Sequence, residues 1–495
     1  MALKEICIVL ATAAVCIHVT SAQGTRTIRF SPSTENIQNL IKTSPAGSTF
    51  IFEAGVYRNL SIAVRPGDTF LGMPGATLNG SEPLSFVQEG NLWTAQTNPS
   101  LPEVVNFGVP CDRTLKNADG SKYTVGCTHS RSLYRGGEPL WRVETMGEVA
   151  PGKWFSDERT KAVYIADDPH GDTLELGETL DAFHGSGSNV TIKGLTIEKY
   201  AGAQQHGAIN CRSGNWLVEG NVIQLNHARG ISFGQCDGIR ILGNSINRNG
   251  NLGIGGSLAN NALVQGNEID ANNYCRVGAG WEAGGGKWSK TTNLTVSENK
   301  VRDNLGPGLW SDIGAEGTLY SANVVTHNVG AGIIYEISRH ARIEKNTVAA
   351  NGNPLWPDPW LWDAQILIST SSDVVVEDNT VAVGEYGNGI TITDQNRGSD
   401  AVGERRSFNN RVTDNSITYQ SDKGGTGAAS DREKPFQRNT PNAVQLATNV
   451  FDANTYHFLG ARGSKRHFYW DGSVLDWDEF RVSGNEKNGT AVIGK

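Results

Sequence analysis

Three stretches of the chain place charged side chains beside glycines and tryptophans. Glu282 and Lys287 lie in the first stretch, Asp312 in the second and Glu336 in the third. Two carboxyl groups held close together can cleave a glycosidic bond, because one attacks the anomeric carbon while the other protonates the leaving oxygen and later activates water. Mutual repulsion would raise one of the two pKa values, as the acid requires. We therefore identify Asp312 and Glu336 as the candidate catalytic pair, with Lys287 keeping the nucleophile ionised or binding a substrate hydroxyl.

Several neighbouring side chains are candidates for binding a sugar. The set comprises Glu282, Lys287, Trp281, Trp310, Tyr335 and His340. Aromatic rings can stack on sugar faces, and charged groups can bind hydroxyls. Arg339 and His206 are further candidates for contact with substrate. The structural alternative is that Glu282 and Lys287 form an ion pair and that the tryptophans belong to the core; the tryptophans in question are Trp281, Trp288, Trp310, Trp356, Trp360 and Trp362.

A repeated asparagine motif indicates the scaffold that would hold these residues. The pattern apolar-x-x-Asn-x-apolar recurs at steps of 23, 23, 32, 24, 23, 33 and 36 residues. A base step near 23 with loop insertions is typical of one coil of a parallel β-helix, in which alternate residues point into the core. Each asparagine suits a turn, and stacked asparagines can hydrogen-bond from coil to coil. The repeated residues are Asn221, Asn244, Asn267, Asn299, Asn323, Asn346, Asn379 and Asn415.

The positions of the charged residues within their coils predict that they align. Lys287, Asp312 and Glu336 lie 12, 11 and 10 residues before the repeated asparagine of their own coils. Neighbouring parallel strands are about 4.8 Å apart, so matching positions on successive coils stack. We expect all three residues at nearly the same place on neighbouring coils. The two carboxyl groups would then approach the roughly 5–5.5 Å separation of retaining glycosidases.

The fold class predicted is all-β: a right-handed, single-stranded parallel β-helix with an N-terminal capping helix and a β-rich insertion. A leucine-rich repeat is disfavoured because its Leu-x-x-Leu-x-Leu framework is missing. The capping helix spans Thr34–Lys42 with Ser33 as its N-cap. A hairpin of Gly152–Phe155 and Ala162–Ile165 lies in the insertion. We divide the chain into a signal peptide (1–22), a cap with the first coils (23–84), the β-rich insertion (85–178), the β-helix carrying the site (179–420) and a C-terminal coil or cap region (421–495).

The N-terminus predicts export. Lys4 is followed by the mostly apolar run Ile6–Val19 and by the small residues Thr20–Ala22, the pattern of a secretory signal peptide. We expect a secreted or periplasmic protein with no membrane span once the signal is removed. The formal net charge of −8 argues against nucleic acid as a partner. We expect a carbohydrate partner, and a hydrolase of this type would need no cofactor.

The cysteines also fit an oxidising compartment. Cys111 and Cys127 are close enough in sequence to close a short disulfide loop. Cys211 and Cys236 are spaced to stack on neighbouring coils. Removal of the signal peptide leaves an odd number, so at least one thiol stays free, and no Cys/His cluster suggests zinc.

The stretch 280–346 resembles the parallel β-helix β-xylosidases of glycoside hydrolase family 120. That family has a Glu-x-x-x-x-Lys coil, a Gly-Ile-Trp-x-Asp coil and a coil whose strand ends in Glu. These match Glu282 with Lys287, the run Gly308–Asp312, and Glu336. The resemblance implies Asp312 as nucleophile and Glu336 as acid/base, with Glu282 and Lys287 in the subsites. The rest of the chain is similar to β-helix proteins in general, such as the pectin lyase-like superfamily. We expect the substrate to be a plant or algal poly- or oligosaccharide.

Two other function classes share this scaffold. Glu282 and Lys287 also resemble the Glu-x-x-x-x-Lys of β-helix polysaccharide lyases, which would make Lys287 the base and Glu282 a calcium ligand. Against a lyase or uronate epimerase, the next coil offers Trp310 and Asp312 instead of the arginine found in those lyases. The third class is a noncatalytic carbohydrate-binding or surface protein, because fold alone does not fix function.

Overall fold

The structure is a computed structural model. The residues that it describes are 7–10, 13–16, 24–97, 128–354, 361–395, 397–401, 403–430, 448–459, 467–470 and 472–493. The predicted disulfide of Cys111 and Cys127 lies outside these residues, as do Trp356 and Trp360. Inside the predicted signal peptide, Cys7–Leu10 pairs with Ala13–Cys16 as an antiparallel hairpin.

Three long sheets, each of 13 strands, form the body of the protein. Sheet A contains Ile62–Ala63, Phe183–Gly185, Gly207–Cys211, Arg229–Gly234, Leu252–Ser257, Gly284–Ser289, Leu309–Asp312, Ile333–Glu336, Ala364–Ser369, Asn388–Asp394, Thr426–Ser430, Phe468–Trp470 and Ser473–Leu475. Sheet B contains Thr27–Phe30, Thr49–Phe52, Thr69–Gly72, Thr191–Lys193, Leu217–Glu219, Arg240–Leu242, Leu263–Gln265, Thr295–Ser297, Glu316–Ser321, Arg339–Glu344, Ser372–Glu377, Arg411–Thr413 and Val450–Asp452. Sheet C contains Gly55–Arg58, Ala76–Asn79, Thr196–Glu198, Val222–Gln224, Ser245–Asn247, Glu268–Asp270, Lys300–Arg302, Val324–Thr326, Thr347–Ala349, Thr380–Val383, Ser416–Tyr419, Thr455–Phe458 and Thr490–Ile493.

The chain visits the three sheets in turn, so that each coil adds one strand to each sheet. All neighbouring strands of these sheets are parallel, except that Ser473–Leu475 pairs antiparallel with Phe468–Trp470. One hydrophobic cluster runs through the interior from Phe30 to Phe480. The predicted right-handed parallel β-helix is confirmed.

The asparagine ladder is the most regular polar feature of the interior. The side-chain amide of Asn221 donates to the side-chain oxygen of Asn244 at 3.0 Å, and the same bond repeats at 2.9 Å between each later pair. Each oxygen also accepts the backbone N–H of the asparagine before it, as Asn244 does from Asn221 at 2.9 Å. Stacking of the eight predicted asparagines is therefore confirmed. The ladder continues to Asn454 and ends on Glu486.

A second ladder, not predicted, runs beside the first. Its members lie five residues after Asn221 and its successors, and the last asparagine donates to Gln365 at 2.9 Å. The donor–acceptor distances between neighbours are 2.8–3.0 Å. A fixed spacing of five residues was visible in the sequence and would have revealed it. The members are Asn226, Asn249, Asn272, Asn304, Asn328 and Asn351.

Helices close both ends of the solenoid interior. The predicted N-terminal helix is present but begins later, at Ile37–Thr43, with Asn36 as its N-cap instead of Ser33. The start is delayed because the segment before it forms a turn, in which the backbone N–H of Thr34 donates to the carbonyl of Ser31 at 2.9 Å. The helix Trp477–Val482 buries Phe480 against the last coils. Neither helix of the described residues has the length to cross a membrane.

The inserted segment forms two small antiparallel-rich sheets with a core of their own. The predicted hairpin is present, as Lys153–Asp157 paired with Ala162–Ile165. The five-stranded sheet contains Val87–Glu89, Leu92–Gln96, Ala162–Ile165, Lys153–Asp157 and Trp141–Arg142. The four-stranded sheet contains Glu138–Pro139, Leu133–Arg135, Leu174–Gly177 and Ser81–Pro83. The remaining elements are the 3₁₀ turn Met146–Glu148 and the two-stranded ribbon of Ser399–Asp400 with Gly403–Glu404.

Cysteines on adjacent coils are joined as their spacing suggested. Cys211 ends one strand of sheet A, and Cys236 follows the next strand; the two form a disulfide with a Cα–Cα distance of 6.1 Å. Cys275 is a buried free thiol. The expectation of one unpaired cysteine therefore holds among the described residues.

The end of the asparagine ladder predicts a pH-dependent stability. Glu486 is fully buried and accepts hydrogen bonds from Asn454 and Tyr456, and burial raises its pKa from 4.5 to about 7. Because the folded state holds this proton more tightly, the stabilisation is present at low pH and is lost as the pH rises through about 7. Between pH 5 and pH 8 the free energy of unfolding of the wild type should fall by about 2 kcal/mol more than that of Glu486→Gln.

Urea denaturation of both proteins at pH 5, 6.5 and 8 measures this difference. Contributions from other titrating groups are common to the two proteins and cancel. An identical pH dependence in wild type and variant would show that Glu486 does not carry the effect.

Candidate active site

Alternation along three neighbouring strands of sheet A decides which side chains face outward. Leu309, Ser311 and Tyr335 point into the coil, whereas Asp312 and Glu336 point out. In the parallel ladder Asp312 is the direct register partner of Glu336. Adjacent strands are about 4.8 Å apart, so the two carboxyl groups stack on one face. The expected alignment of the carboxylates is confirmed.

Lys287 lies two residues out of the predicted register. Its ladder partner is Trp310, and the residue level with Asp312 is Ser289. Counting from the asparagines already put Lys287 one residue before the level of Asp312. A difference in turn length adds the second residue, because Ser289 precedes its ladder asparagine by 10 residues and Asp312 precedes its own by 11. The long Lys287 side chain nevertheless reaches Asp312, with Nζ 2.9 Å from Oδ2.

The ammonium group of Lys287 has three partners. Besides Asp312, it donates to the backbone oxygen of Trp281 at 2.5 Å and lies 3.3 Å from the centroid of the Trp310 ring. A protonated amine satisfies all three contacts at once. These contacts hold the Lys287 side chain in place against one oxygen of Asp312.

Asp312 keeps one oxygen without a partner. The residue is 7% exposed, and its Oδ1 is buried with no hydrogen bond among the described residues. A buried carboxylate with one oxygen held by a cation and the other unpaired is unusual, because unpaired buried acceptors are costly. The arrangement suits a group that attacks a substrate atom.

Glu336 has the properties of a proton donor. Burial, and next the negative charge of Asp312, raise the pKa of Glu336 from 4.5 to about 7. Arg397, whose Nη1 lies 3.6 Å from Oε1, and Lys287 act in the opposite direction. Two stacked carboxyl groups therefore differ in their environments, and one of them holds a proton near neutral pH.

The two carboxyl groups open into a cleft of about 350 Å³. Trp310 and Ile334 form part of an apolar patch on its wall together with Ala331. Burial raises the pKa of a third carboxyl group, Asp363, to about 6, and its Oδ2 is buried without a hydrogen-bond partner among the described residues. The lining residues are Ala279, Gly280, Trp281, Lys287, Pro307, Trp310, Asp312, Val329, Gly330, Ala331, Ile334, Glu336, Asn353, Trp362, Asp363, Gln395 and Arg397.

Asp363, Gln395 and Arg397 were not singled out in the sequence. They lie on loops in the coils where the asparagine step lengthens to 33 and 36 residues, and the loop before Trp281 belongs to the step of 32. The described residues of these long steps thus contribute side chains to the cleft on the outer face of sheet A. The long steps were the signal that would have located these side chains.

Three predicted substrate-binding residues are placed elsewhere. Tyr335 is fully buried in the coil and donates its hydroxyl to the carbonyl of Arg339 at 2.5 Å, because alternation turns it away from Glu336. Glu282 is ion-paired with Arg229 and lies outside the cleft. His340 is exposed on sheet B, where its Nδ1 lies 2.5 Å from Glu316. Tyr335 is therefore turned away from the cleft, and Glu282 and His340 do not line it, so a role for these two in substrate binding stays a prediction.

The remaining candidates divide between core, surface and cleft. Trp281 and Trp310 line the cleft, as does Trp362, whereas Trp288 is fully buried in the core. A Cβ on Gly286 would come within 2.5 Å of the Trp288 ring, so glycine there makes room for the indole. Arg339 is ion-paired with Asp400. His206 lies in a different cleft, which Asp181 and His184 also line.

The contacts of Glu282 also bear on the calcium site of the lyase alternative. Its carboxylate is held by the Arg229 guanidinium and accepts a hydrogen bond from Gln205 at 3.1 Å. A cation already neutralises this carboxylate. No group of three or more His, Cys, Asp or Glu side chains within the described ranges is arranged to hold a metal ion.

Comparison with solved structures finds several to which this chain is similar. The complex of XylC with xylose is 16% identical, with a TM-score of 0.68 over 94% of this chain and 86% of that one. A structure described as a glycoside hydrolase is 10% identical, with a TM-score of 0.47 over 82% and 96% of the two chains. The A-module of a mannuronan C-5 epimerase from Azotobacter vinelandii is 10% identical, with a TM-score of 0.40 over 92% of each chain. At 16% identity, the likeness to the XylC structure shows the fold alone.

Sequence comparison gives the family. No curated protein matches the chain significantly. The family model described as "right handed beta helix region" matches residues 182–348 and 287–440, which together span more than half of the 495 residues. The matched region contains the ladder asparagines from Asn221 to Asn415 and both stacked carboxyl groups. The chain belongs to the right-handed β-helix family.

Proposed function

We propose that this protein is an exported carbohydrate-active enzyme, a retaining glycoside hydrolase acting on a plant or algal poly- or oligosaccharide. The observation that carries the proposal is the stacked pair of buried carboxyl groups, Asp312 and Glu336, opening into one cleft. The resemblance of stretch 280–346 to glycoside hydrolase family 120 supports it. The likeness to XylC, whose complex with xylose has the same fold, supports a sugar substrate.

The two carboxyl groups divide the reaction between them. The carboxylate of Asp312, held on one oxygen by Lys287, attacks the anomeric carbon, while Glu336 gives its proton to the leaving oxygen as the glycosidic bond breaks. A glycosyl ester on Asp312 and an ionised Glu336 result. Glu336 then takes a proton from water, whose oxygen attacks the anomeric carbon and releases Asp312. One water is consumed per bond, and the anomeric configuration is retained.

A lyase or epimerase reaction receives less support. A base must present an unshared electron pair to the sugar C5 proton. The amino group of Lys287 is instead engaged by Asp312, by the carbonyl of Trp281 and by the ring of Trp310. Glu282, which would bind calcium, is bound by Arg229.

Mass spectrometry of products tests the reaction type. The purified protein is incubated with a panel of plant and algal polysaccharides. We expect products that carry one added water per cleavage. NMR of the first-formed product should show the same anomeric configuration as the substrate. Unsaturated products would assign a lyase. Absence of any cleavage would favour the noncatalytic binding alternative.

Substitution of the nucleophile should abolish turnover. Asp312→Asn removes the attacking carboxylate, so kcat/KM on an aryl glycoside that the wild type hydrolyses should fall by about 10³-fold or more. Asp270→Asn is the matched control, because Asp270 is also a partly buried aspartate paired with a cation, Arg302, but lies on sheet C. Near-normal rates in Asp312→Asn would refute the assignment.

The pH profile should report the pKa of Glu336. The acid must be protonated, so kcat/KM should decline as the pH rises above about 7. Arg397 favours the ionised form, and Arg397→Gln should therefore move this alkaline limb to higher pH. Arg342→Gln, which removes an exposed arginine paired with Glu344 on sheet B, should leave it in place. If Arg397→Gln leaves the alkaline limb of the pH profile in place or moves it to lower pH, the role of Glu336 as the acid is contradicted.

A further inference from the structure

A second and larger cleft, of about 960 Å³, lies where the inserted sheets meet the first coils. One wall comes from the boundaries of the insertion, including Glu82 and Thr179, and the other from sheet A, including His184 and Asn210. Clefts between packed units are a common location for ligands. This cleft is larger than the one that holds Asp312, and the residues of its floor decide which ligand it could bind.

A hydrogen-bonded cluster is built into the floor. One carboxylate oxygen of Asp181 accepts hydrogen bonds from Ser61 Oγ and His184 Nδ1, each at 2.8 Å. The other oxygen accepts a hydrogen bond from His206 Nε2 at 2.6 Å. The two imidazoles hold the pKa of Asp181 well below its usual range, and Asp181 raises that of His184. This carboxylate already has three donors, so its role is to orient the two rings towards the cleft.

Asn210 presents an unused acceptor at the same place. The residue is 5% exposed, and its Nδ2 lies 3.2 Å from Nδ1 of His206. Its Oδ1 is buried and has no hydrogen-bond partner among the described residues. Buried acceptors of this kind are rare unless a ligand supplies the donor. Nε2 of His184, on a side chain that is 38% exposed, makes no hydrogen bond within the described part of the chain.

The charges around the cleft select the ligand class. Glu82, Glu178 and Asp181 line it, and the described lining residues include neither lysine nor arginine. A negative surround disfavours phosphate and uronate ligands. The unpaired groups, an amide oxygen and an imidazole nitrogen, match sugar hydroxyls, while Pro83 and Leu84 offer apolar contact to C–H groups. A neutral glycan fits this surface.

The cleft shares a face with the catalytic site. His184, Asn210, Ser232, Gly255 and Lys287 occupy one register row of sheet A. Four strand steps therefore separate His184 from Lys287, a distance of about 19 Å. One polymer chain is long enough to occupy both places, and a second contact on the same chain increases overall affinity.

We propose that the cleft around His184, His206 and Asn210 is a noncatalytic binding site for a neutral glycan chain. It goes beyond the proposed hydrolase activity and can be tested without it. The site anchors the polysaccharide on the same face as Asp312 and Glu336. Small substrates that reach only the catalytic cleft gain nothing from it.

Affinity electrophoresis in gels containing neutral polysaccharides tests the proposal. The panel is xylan, glucomannan, galactomannan and mixed-linkage β-glucan, with polygalacturonate as the anionic comparison. The Asp312→Asn background prevents degradation of the gel. Thr179→Arg places a long side chain at the cleft wall, and Asn210→Leu removes the unpaired acceptor. Thr347→Arg, at an exposed position of sheet C, is the matched control.

We expect at least one neutral polysaccharide to retard the protein. Thr179→Arg and Asn210→Leu should each weaken that affinity about tenfold, the effect of losing one well-placed polar contact, and Thr347→Arg should not. In the catalytically intact protein both cleft variants should keep the wild-type rate on an aryl glycoside. Unchanged retardation in Thr179→Arg, retardation by polygalacturonate alone, or no retardation by any neutral polymer would overturn the site. Loss of the hydrolase assignment would instead appear only in the product analysis.

Discussion

The buried asparagine ladder is the interaction on which the rest of the structure depends. Each amide donates to the next coil and accepts the backbone N–H of the coil before it, so a coil shifted by one residue would leave several buried polar groups unpaired. This requirement fixes the register between neighbouring coils, although their loops differ widely in length. This fixed register brings Asp312 level with Glu336, although the two residues are 24 positions apart in the chain. Stability and the geometry of the candidate site thus share one cause.

Because side chains alternate along a strand, the same strands supply residues to the core and to the surface. Ser311 and Tyr335 point inward, and their immediate neighbours Asp312 and Glu336 point outward. The carboxyl groups are therefore carried by strands anchored on both sides by parallel pairing, which leaves them little freedom to move apart. Their different surroundings then separate their chemistry. Lys287 contacts only one oxygen of Asp312, whereas burial and the neighbouring charge favour the protonated form of Glu336.

Insertions between the strands build the walls of the clefts, which the regular coil does not form by itself. A bare outer sheet face is nearly flat, and a cleft needs walls that rise above it. The three longest steps of the ladder provide loops that carry Trp281, Asp363 and Arg397 to one rim. The larger insertion packs on the first coils and creates the second cleft around Asp181. The coil thus repeats with little change along the axis, and the loops form the two candidate binding clefts on one face of the protein.

The repeated asparagines and the alternation of apolar residues were sufficient to determine the fold, because both are local patterns that recur with every coil. Counting back from the asparagines was also sufficient to align the two carboxyl groups to within one residue, because Asp312 and Glu336 precede their asparagines by 11 and 10 residues. The same alternation would have placed Tyr335 in the core. The register of Lys287 was missed because turns between sheets differ by a residue, and such differences cannot be counted from a distant asparagine. Partners such as Arg229 for Glu282 and Arg397 for Glu336 come from other coils, so only the tertiary structure decided them. Burial, and with it the raised pKa of Glu336, depends on all surrounding elements at once and is a property of the assembled fold.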